Sequence, residues 1–389
     1  MARKRLTKSG GKKEEARAPA RAPGRATMWD VARLADVSQS TVSLALNNDP
    51  RVAEATRARV MAVSEELGFR INRAARELSS KRSKVIGFVT DRMATAPWAG
   101  RTILGAQEVA WANGYVLMVV DAGESESLRK RALDLMLEQQ VEAIIFAAMI
   151  TGPVKIEDAM RAVPSVLVNC FAEDDASFPK IVADEVRGGY TATMELINNG
   201  HRDILFINGP RNNFTARQRE RGHRNAMREA FGSKVPVPVL YGDYEINAGY
   251  HSMLDYGQHH GGRLTGVVCG NDRIALGALQ AATELGLSVP DDLSIVGYDD
   301  QPFLASHLHP ALTTVVLPIY EMGKMAVMSL LARTDAGEVE SHVVRSELVR
   351  RSSVKMLDGQ SLKRPPRRPL RKAGRANGRL APLVAKPLR

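Results

Sequence analysis

Adjacent carboxylates at Asp299-Asp300 and adjacent imidazoles at His259-His260 are the pairings in this 389-residue sequence that come nearest to catalytic chemistry. Neither spacing suits it. Consecutive residues at a strand end point apart, so the two carboxylates do not converge as an acid–base pair must. The histidines read as part of a solvated, Gly-flanked loop rather than a metal site. No G-x-S-x-G elbow, P-loop, H-E-x-x-H or Cys-x-x-Cys occurs. Cys170 and Cys269 are too few for a disulfide framework and lack metal-ligand spacing. These features argue against an enzyme and give no reason to expect a cofactor or metal. A different chemistry lies in Ser38-Gln39-Ser40-Thr41-Val42-Ser43-Leu44-Ala45-Leu46-Asn47, where short hydroxyls and amides are donors for base edges and phosphate oxygens.

Those donors need a helix to present them. Thr27-Met28-Trp29-Asp30 fits a capping box, and Val31, Leu34 and Ala35 then supply an apolar face. Ser38 is a second N-cap candidate, and the helix behind it turns Val42, Ala45 and Leu46 inward. A third helix is expected over Glu54–Leu67, with Val60, Val63, Ser64 and Leu67 on one side and Gly68 as its C′ residue. Three short helices with a tight second turn read as a small DNA-binding unit.

From Val85 onward strands and helices alternate. Strands are expected at Val85–Thr90, Tyr115–Asp121, Ala143–Met149, Ser165–Asn169, Ile204–Gly209, Val267–Gly270 and Ser294–Tyr298. Helices are expected at Ile103–Asn113, Ser127–Gln139, Gly188–Asn199, Arg217–Phe231 and Arg273–Leu285. Continuous apolar strands between amphipathic helices imply parallel sheets covered on both faces. The length implies two doubly wound lobes, with ligands at the carboxyl ends of the strands.

The net charge of +11 is unevenly placed. Residues 1–26 carry +7 and residues 359–389 carry +10, whereas residues 85–358 carry about −9. Basic ends on an acidic body suit a polyanion, although such tails also serve simply to solubilise a chain end. Both are rich in Pro, Gly, Ala and Arg, and disorder is expected there. No apolar run is long enough to span a membrane, and no apolar segment follows the basic start as in a secretory signal. A cytoplasmic, nucleoid-associated protein is expected.

The register Asp30-Val31-Ala32, Asp36-Val37-Ser38-Gln39-Ser40-Thr41-Val42-Ser43-Leu44-Ala45-Leu46-Asn47, Thr56-Arg57, Glu66-Leu67-Gly68-Phe69 and Asn72-Arg73-Ala74-Ala75-Arg76 closely resembles the LacI/GalR repressor family. The resemblance implies an N-terminal all-α helix-turn-helix headpiece with a hinge helix, followed by an α/β two-lobed periplasmic-binding-protein-like sensor built of two doubly wound parallel sheets. The expected divisions are a basic tail at 1–26, a headpiece at 27–70, hinge and linker at 71–84, sensor and dimerisation domain at 85–358, and a second tail at 359–389. Gln39 and Ser40 are the base-reading candidates, while Ser38, Thr41, Ser43 and Asn47 suit phosphates. Leu44 stands where the family commonly has arginine; it either packs on a thymine methyl or faces inward. Ala53 replaces a usual capping serine. In the hinge, Leu78 takes the place of the leucine that wedges into the minor groove, flanked by Asn72, Arg73, Ala75 and Arg76.

The resemblance continues through Ile86-Gly87-Phe88, Gly114-Tyr115, Gly200-His201, Gly270-Asn271-Asp272 and Ser294-Ile295-Val296-Gly297-Tyr298-Asp299-Asp300. By position it assigns Arg219, Asn271 and Asp299 to a polar clamp on an effector, a sugar or related metabolite. Tyr244 and Trp98 are candidates to stack on an apolar sugar face, or are ordinary packing, and Asp91 is a further polar candidate. Val315-Val316-Leu317-Pro318 lacks the polar residues usual before that proline, which implies a drier cleft. The expected partners are a palindromic double-stranded DNA operator, a small-molecule effector and a second copy of the chain. The competing readings are a non-specific architectural DNA binder and a ligand-binding protein without regulatory DNA binding.

Overall fold

The protein is described here by a computed structural model covering residues 26–69, 82–92, 100–260, 264–332 and 339–357. It divides into two compact units at Ser83/Lys84.

In the first unit three helices run Met28–Leu34, Gln39–Leu46 and Glu54–Glu66. The capping box closes the first: Thr27 N–H donates to the Asp30 carboxylate at 2.8 Å, and Asp30 N–H to Thr27 Oγ1 at 3.4 Å. Ser38 caps the second by accepting the Thr41 N–H at 3.1 Å. Ala53 gives the third no side-chain cap. Arg57 instead braces that start, donating to the Asp49 and Val52 carbonyls at 2.8 and 3.2 Å. Gly68 follows with φ +59. Val31, Ala35, Val42, Ala45 and Val60 form a fully buried core. Leu34 does not join it: this leucine is left 48% exposed, and Ala32 takes the inward position instead.

In the second unit six parallel strands form one sheet: β1 (Val85–Thr90), β2 (Val116–Asp121), β3 (Ala143–Ala147), β5 (Ser165–Val168), β7 (Lys180–Ala183) and β13 (His342–Val344), in the order β13-β7-β5-β3-β1-β2. A second sheet of β8 (Ile204–Asn208), β9 (Val239–Tyr241), β10 (Gly266–Cys269), β11 (Ser294–Asp299), β12 (Thr313–Val316) and β14 (Leu348–Val349) has the order β14-β12-β11-β10-β8-β9. Only β14 among these is antiparallel to its neighbour. A small parallel pair, β4 (Pro153–Val154) with β6 (Phe171–Ala172), extends the first lobe. The central strands β3, β8 and β10 are buried along their whole length, as covered parallel strands require, while the edge strand β2 is half exposed.

The chain crosses between the lobes after β7, after β12 and after β13. The crossover after β7 enters helix Glu185–Asn198 of the second lobe, and that after β12 enters helix Ile319–Leu331, which packs into the first-lobe core through Met322, Ala326 and Val327. His259-His260 is no loop: both residues end helix Ile246–His260, and His259 Nδ1 lies 2.8 Å from the Asp255 carbonyl one turn back. A run containing Gly249 and Gly257 still forms a helix because its partner helix Asp272–Glu284 packs directly against it.

Candidate functional site

Each unit carries one candidate site. On helix Gln39–Leu46, Gln39 and Ser40 are exposed in the first turn. Ser38 Oγ lies 2.7 Å from Ser40 Oγ and 2.9 Å from Thr41 Oγ1, so three hydroxyls cluster at that helix start. Thr41 and Ser43 are half-buried and Asn47 is exposed. Leu44 is half-buried and packs against the three-helix core, which gives it an inward role. Asn72, Arg73, Ala75, Arg76 and Leu78 lie outside the described residues, as does Trp98.

In the second unit a cavity of about 370 Å³ opens between the lobes at the carboxyl ends of the strands. Arg219, Tyr244, Asn271 and Asp299 all line it. Helices Glu185–Asn198 and Phe214–Phe231 deliver its charged centre, and glycines permit their approach. A Cβ on Gly189 would lie 2.1 Å from the Arg219 carbonyl oxygen, and one on Gly222 would lie 2.0 Å from the Val186 carbonyl oxygen. Only residues without a side chain fit a crossing that close.

The contact set on Arg219 is dense. Its Nε donates to Glu185 Oε2 at 2.7 Å and its Nη2 to Glu185 Oε1 at 3.3 Å. Nη1 donates to the Gly270 carbonyl at 2.5 Å and lies 3.5 Å from Asp299 Oδ1. Burial alone would favour loss of the guanidinium proton, but the Glu185 and Asp299 carboxylates outweigh it and hold the charge well above the ordinary arginine range. Asp299 itself is raised, chiefly by burial, with Arg219 opposing. It has φ +102, and its Oδ2 accepts the Gln301 amide at 3.0 Å. Asp300, next in sequence, turns to Arg351 at 2.7 Å. The neighbouring carboxylates therefore serve different partners.

Asn271 lines the cavity with its polar atoms already engaged. Its Oδ1 caps helix Asp272–Glu284 by accepting the Ile274 N–H at 2.8 Å, and its Nδ2 donates to the Tyr244 carbonyl at 3.0 Å. Tyr244 packs on the second-lobe apolar cluster and donates its hydroxyl to Asn213 at 3.2 Å. Burial raises that hydroxyl's pKa. Asp91 accepts the Met149 N–H at 2.5 Å and so anchors the loop behind the cavity, while its neighbour Arg92 reaches the lining. Leu317 lines one wall, an apolar residue just before the crossover proline.

Glu185, Thr151 and Asn169 also line the cavity and were not singled out from the sequence. Thr151 Oγ1 donates to Asn169 Oδ1 at 2.6 Å, and Thr215 of the second lobe donates to the Thr151 carbonyl at 3.3 Å, tying the lobes together. The expected helix start at Gly188 fell three residues after the real one at Glu185, which hid this carboxylate. Its signal was the acidic pair Asp184-Glu185, with Asp184 capping by accepting the Arg187 N–H at 2.9 Å.

Residues 27–72 match the model for bacterial regulatory proteins of the lacI family, and residues 193–354 match that for a periplasmic binding protein-like domain. The ribose operon repressor of Escherichia coli (strain K12) is 35% identical over 311 residues, covering 79% of this chain and 93% of the relative. The transcriptional repressor PurR of Vibrio parahaemolyticus is 33% identical over 340 residues, covering 86% of this chain and 100% of the relative. Among solved structures, the Lac repressor dimer bound to operator and the anti-inducer ONPF superposes with a TM-score of 0.70 at 28% identity, covering 85% of this chain and 100% of that one. A complex of the transcriptional regulator CelR with cellobiose has a TM-score of 0.59 at 26% identity, again covering 85% and 100%.

Proposed function

The chain belongs to the lacI family of bacterial regulatory proteins, and from that membership we propose that it is a transcriptional repressor acting as a homodimer on a specific DNA operator. A small-molecule effector in the interlobe cavity modulates it. The observation that carries this reading is the convergence of Arg219, Tyr244, Asn271 and Asp299 on one cavity, in a chain whose first unit is a helix-turn-helix. Gln39 and Ser40 read bases; Ser38, Thr41, Ser43 and Asn47 hold phosphates; the sequence around Leu78 engages the minor groove. The protein works in the cytoplasm and catalyses no reaction.

Two of the segments that join the lobes border the cavity, through Glu185 and Leu317, so a ligand there biases how the lobes sit on each other. A difference of about 1–3 kcal/mol between the two arrangements changes operator affinity several-fold to a hundredfold. The ribose and CelR relatives direct the first effector trials to sugars.

In-vitro selection from a random duplex pool, at near-physiological salt, tests the DNA half of the reading. Convergence on an inverted repeat is expected, since two-fold symmetry in the protein is mirrored in the operator. Recovery of unrelated sequences, with binding abolished by added salt, would replace it with non-specific attraction by the basic tails.

A further inference from the structure

Arginine carries five N–H donors. In Arg219 four are already directed at this protein's own oxygens: one on Nε and one on Nη2 to Glu185, and the two on Nη1 to the Gly270 carbonyl and Asp299. The donor left over is the second hydrogen of Nη2, whose first is turned to Glu185. Both side chains of the pair are almost wholly buried, at 4% and 3% exposure, yet both border the cavity. A ligand that reaches the free donor therefore arrives beside a carboxylate in a poorly solvated place.

The remaining cations of the lining also have carboxylate partners, in more exposed pairs. Arg273 lies 2.9 Å from Glu245 and Arg92 lies 2.6 Å from Glu124. The stretch 93–99 contains no charged residue, so it adds no cation to the cavity. Two further carboxylates, Asp243 and Asp299, border the cavity. A phosphate or carboxylate group would find a carboxylate already within 3 Å of every arginine among the described lining residues. The Glu185–Arg219 pair would offer it no net positive charge to offset the loss of its hydration, and the Glu185 carboxylate would lie close beside it. Neutral hydroxyls suffer no such penalty: they donate to Glu185 or Asp299 and accept from the free Nη2 hydrogen.

We propose that Glu185 is the specificity-determining residue of this cavity, and that by neutralising Arg219 it admits an uncharged polyhydroxyl effector while rejecting the phosphorylated or carboxylated form of the same compound. The inference rests on the effector-responsive reading above and sharpens it to a ligand charge. A purely structural ion pair would brace the two helices equally well but would leave anion affinity unchanged when neutralised.

The test uses the full-length protein, as wild type, Glu185→Gln and the double variant Glu185→Gln/Arg219→Gln, at fixed ionic strength. Inorganic phosphate, D-ribose and D-ribose 5-phosphate are titrated, and binding is read by calorimetry and thermal shift. The wild type is expected to show no saturable response to either phosphate compound. Glu185→Gln is expected to gain at least tenfold in affinity for them, and the double variant to lose that gain, which separates the cavity from the basic tails. Saturable binding of either anion by wild type, absent from the double variant, overturns the proposal. So does a folded Glu185→Gln with no gain. If Glu185→Gln fails to fold, matched neutral and anionic sugars on wild type decide: an anionic member that stabilises more than its neutral counterpart overturns the proposal, and anions that never do so support it. Operator binding measured alongside distinguishes the two claims. An anion gain in Glu185→Gln, with operator affinity indifferent to every sugar, sinks the effector reading while leaving the charge filter standing.

Discussion

The guanidinium of Arg219 lies over the ring of Tyr298, its central carbon 3.5 Å from the ring centroid. Tyr298 comes from β11 and is buried at 1% exposure, so the stacked pair fastens helix Phe214–Phe231 to the second sheet directly beneath the cavity. Its hydroxyl lies 3.5 Å from Ser346 Oγ, on the segment between β13 and β14 that crosses between the lobes. A desolvated cation–π contact contributes about 2 kcal/mol, and removing a buried aromatic ring adds a cavity cost. Tyr298→Leu is therefore expected to destabilise the sensor by about 3–5 kcal/mol in urea melts. Tyr298→Phe, which keeps the ring, should cost only about 1 kcal/mol. Equal losses would mean that the ring face contributes nothing to holding Arg219.

The glycine at the helix crossing makes a second expectation. Gly189→Ala would put a Cβ 2.1 Å from a backbone oxygen, which no side-chain rotation relieves. The helices must separate, and overpacking of this kind costs about 1–3 kcal/mol or more. Because Glu185 and Arg219 ride on those helices, effector response should weaken along with stability. Gly100→Ala is the control: its added Cβ meets nothing within 4 Å, so its melting should stay within about 0.5 kcal/mol of wild type. A Gly189→Ala protein melting like the control would show that the crossing has slack.

Much of this arrangement was legible in the sequence, for physical reasons that also mark where legibility ended. The buried strands β1, β3, β8 and β11 declare themselves because both their faces are covered, and β1 was bounded at Val85–Thr90 as observed. Arg219 and Asp299 were assigned to the cavity by resemblance, and both line it. Glu185 is hard to single out because the helix reads as starting at Gly188, and a carboxylate close to a helix start is ordinarily a response to the helix dipole. What sets it apart is an arginine 34 positions later, visible only once the helices pack. Leu34 departs from its expected inward place because helical spacing alone does not say how wide a three-helix core is. Small Ala32 and Ala35 fill it, leaving the leucine outside. Helix Ile246–His260 is absent from the elements expected from the sequence; a Cβ at Gly249 would lie 2.1 Å from the Ile274 carbonyl oxygen, so that glycine is a packing requirement and no helix break.

In the first unit, Leu44 and Gln39 should separate into different kinds of residue. Leu44 packs against the headpiece core, so Leu44→Ala is expected to lower the headpiece melting stability by about 1–3 kcal/mol. Gln39 is exposed, and Gln39→Ala should leave stability unchanged while costing about 1–3 kcal/mol of discrimination at one base pair of the selected operator. Its affinity for random DNA should hardly move. If Leu44→Ala melts like wild type but loses operator preference, Leu44 belongs to the DNA-reading surface instead.

His223 gives the pH dependence a definite sign. It is fully buried, with Nδ1 2.8 Å from Thr193 Oγ1, whose own hydrogen goes to the Gly189 carbonyl at 2.8 Å. Nδ1 must therefore carry the proton and donate, leaving Nε2 bare and without a hydrogen-bond partner. Burial, assisted by the nearby Arg224 charge, pushes the imidazole down to about 3. Above the unfolded value of about 6.5 neither state binds a proton at this site, and its contribution to stability is complete. As pH falls below that value the unfolded chain takes up the proton and the folded one does not, so stability declines until about pH 3. The decline from this residue alone is on the order of 5 kcal/mol. His223→Asn keeps a donor near the Nδ1 position but cannot titrate. It should be less stable than wild type at pH 8, because it fills the site poorly, and that deficit should shrink steadily from pH 6.5 to pH 4. The difference between the two proteins isolates His223, since every other titrating group is shared. Denaturant melts that show a constant deficit across this range would mean that the buried imidazole is protonated as readily in the folded state as in the unfolded chain.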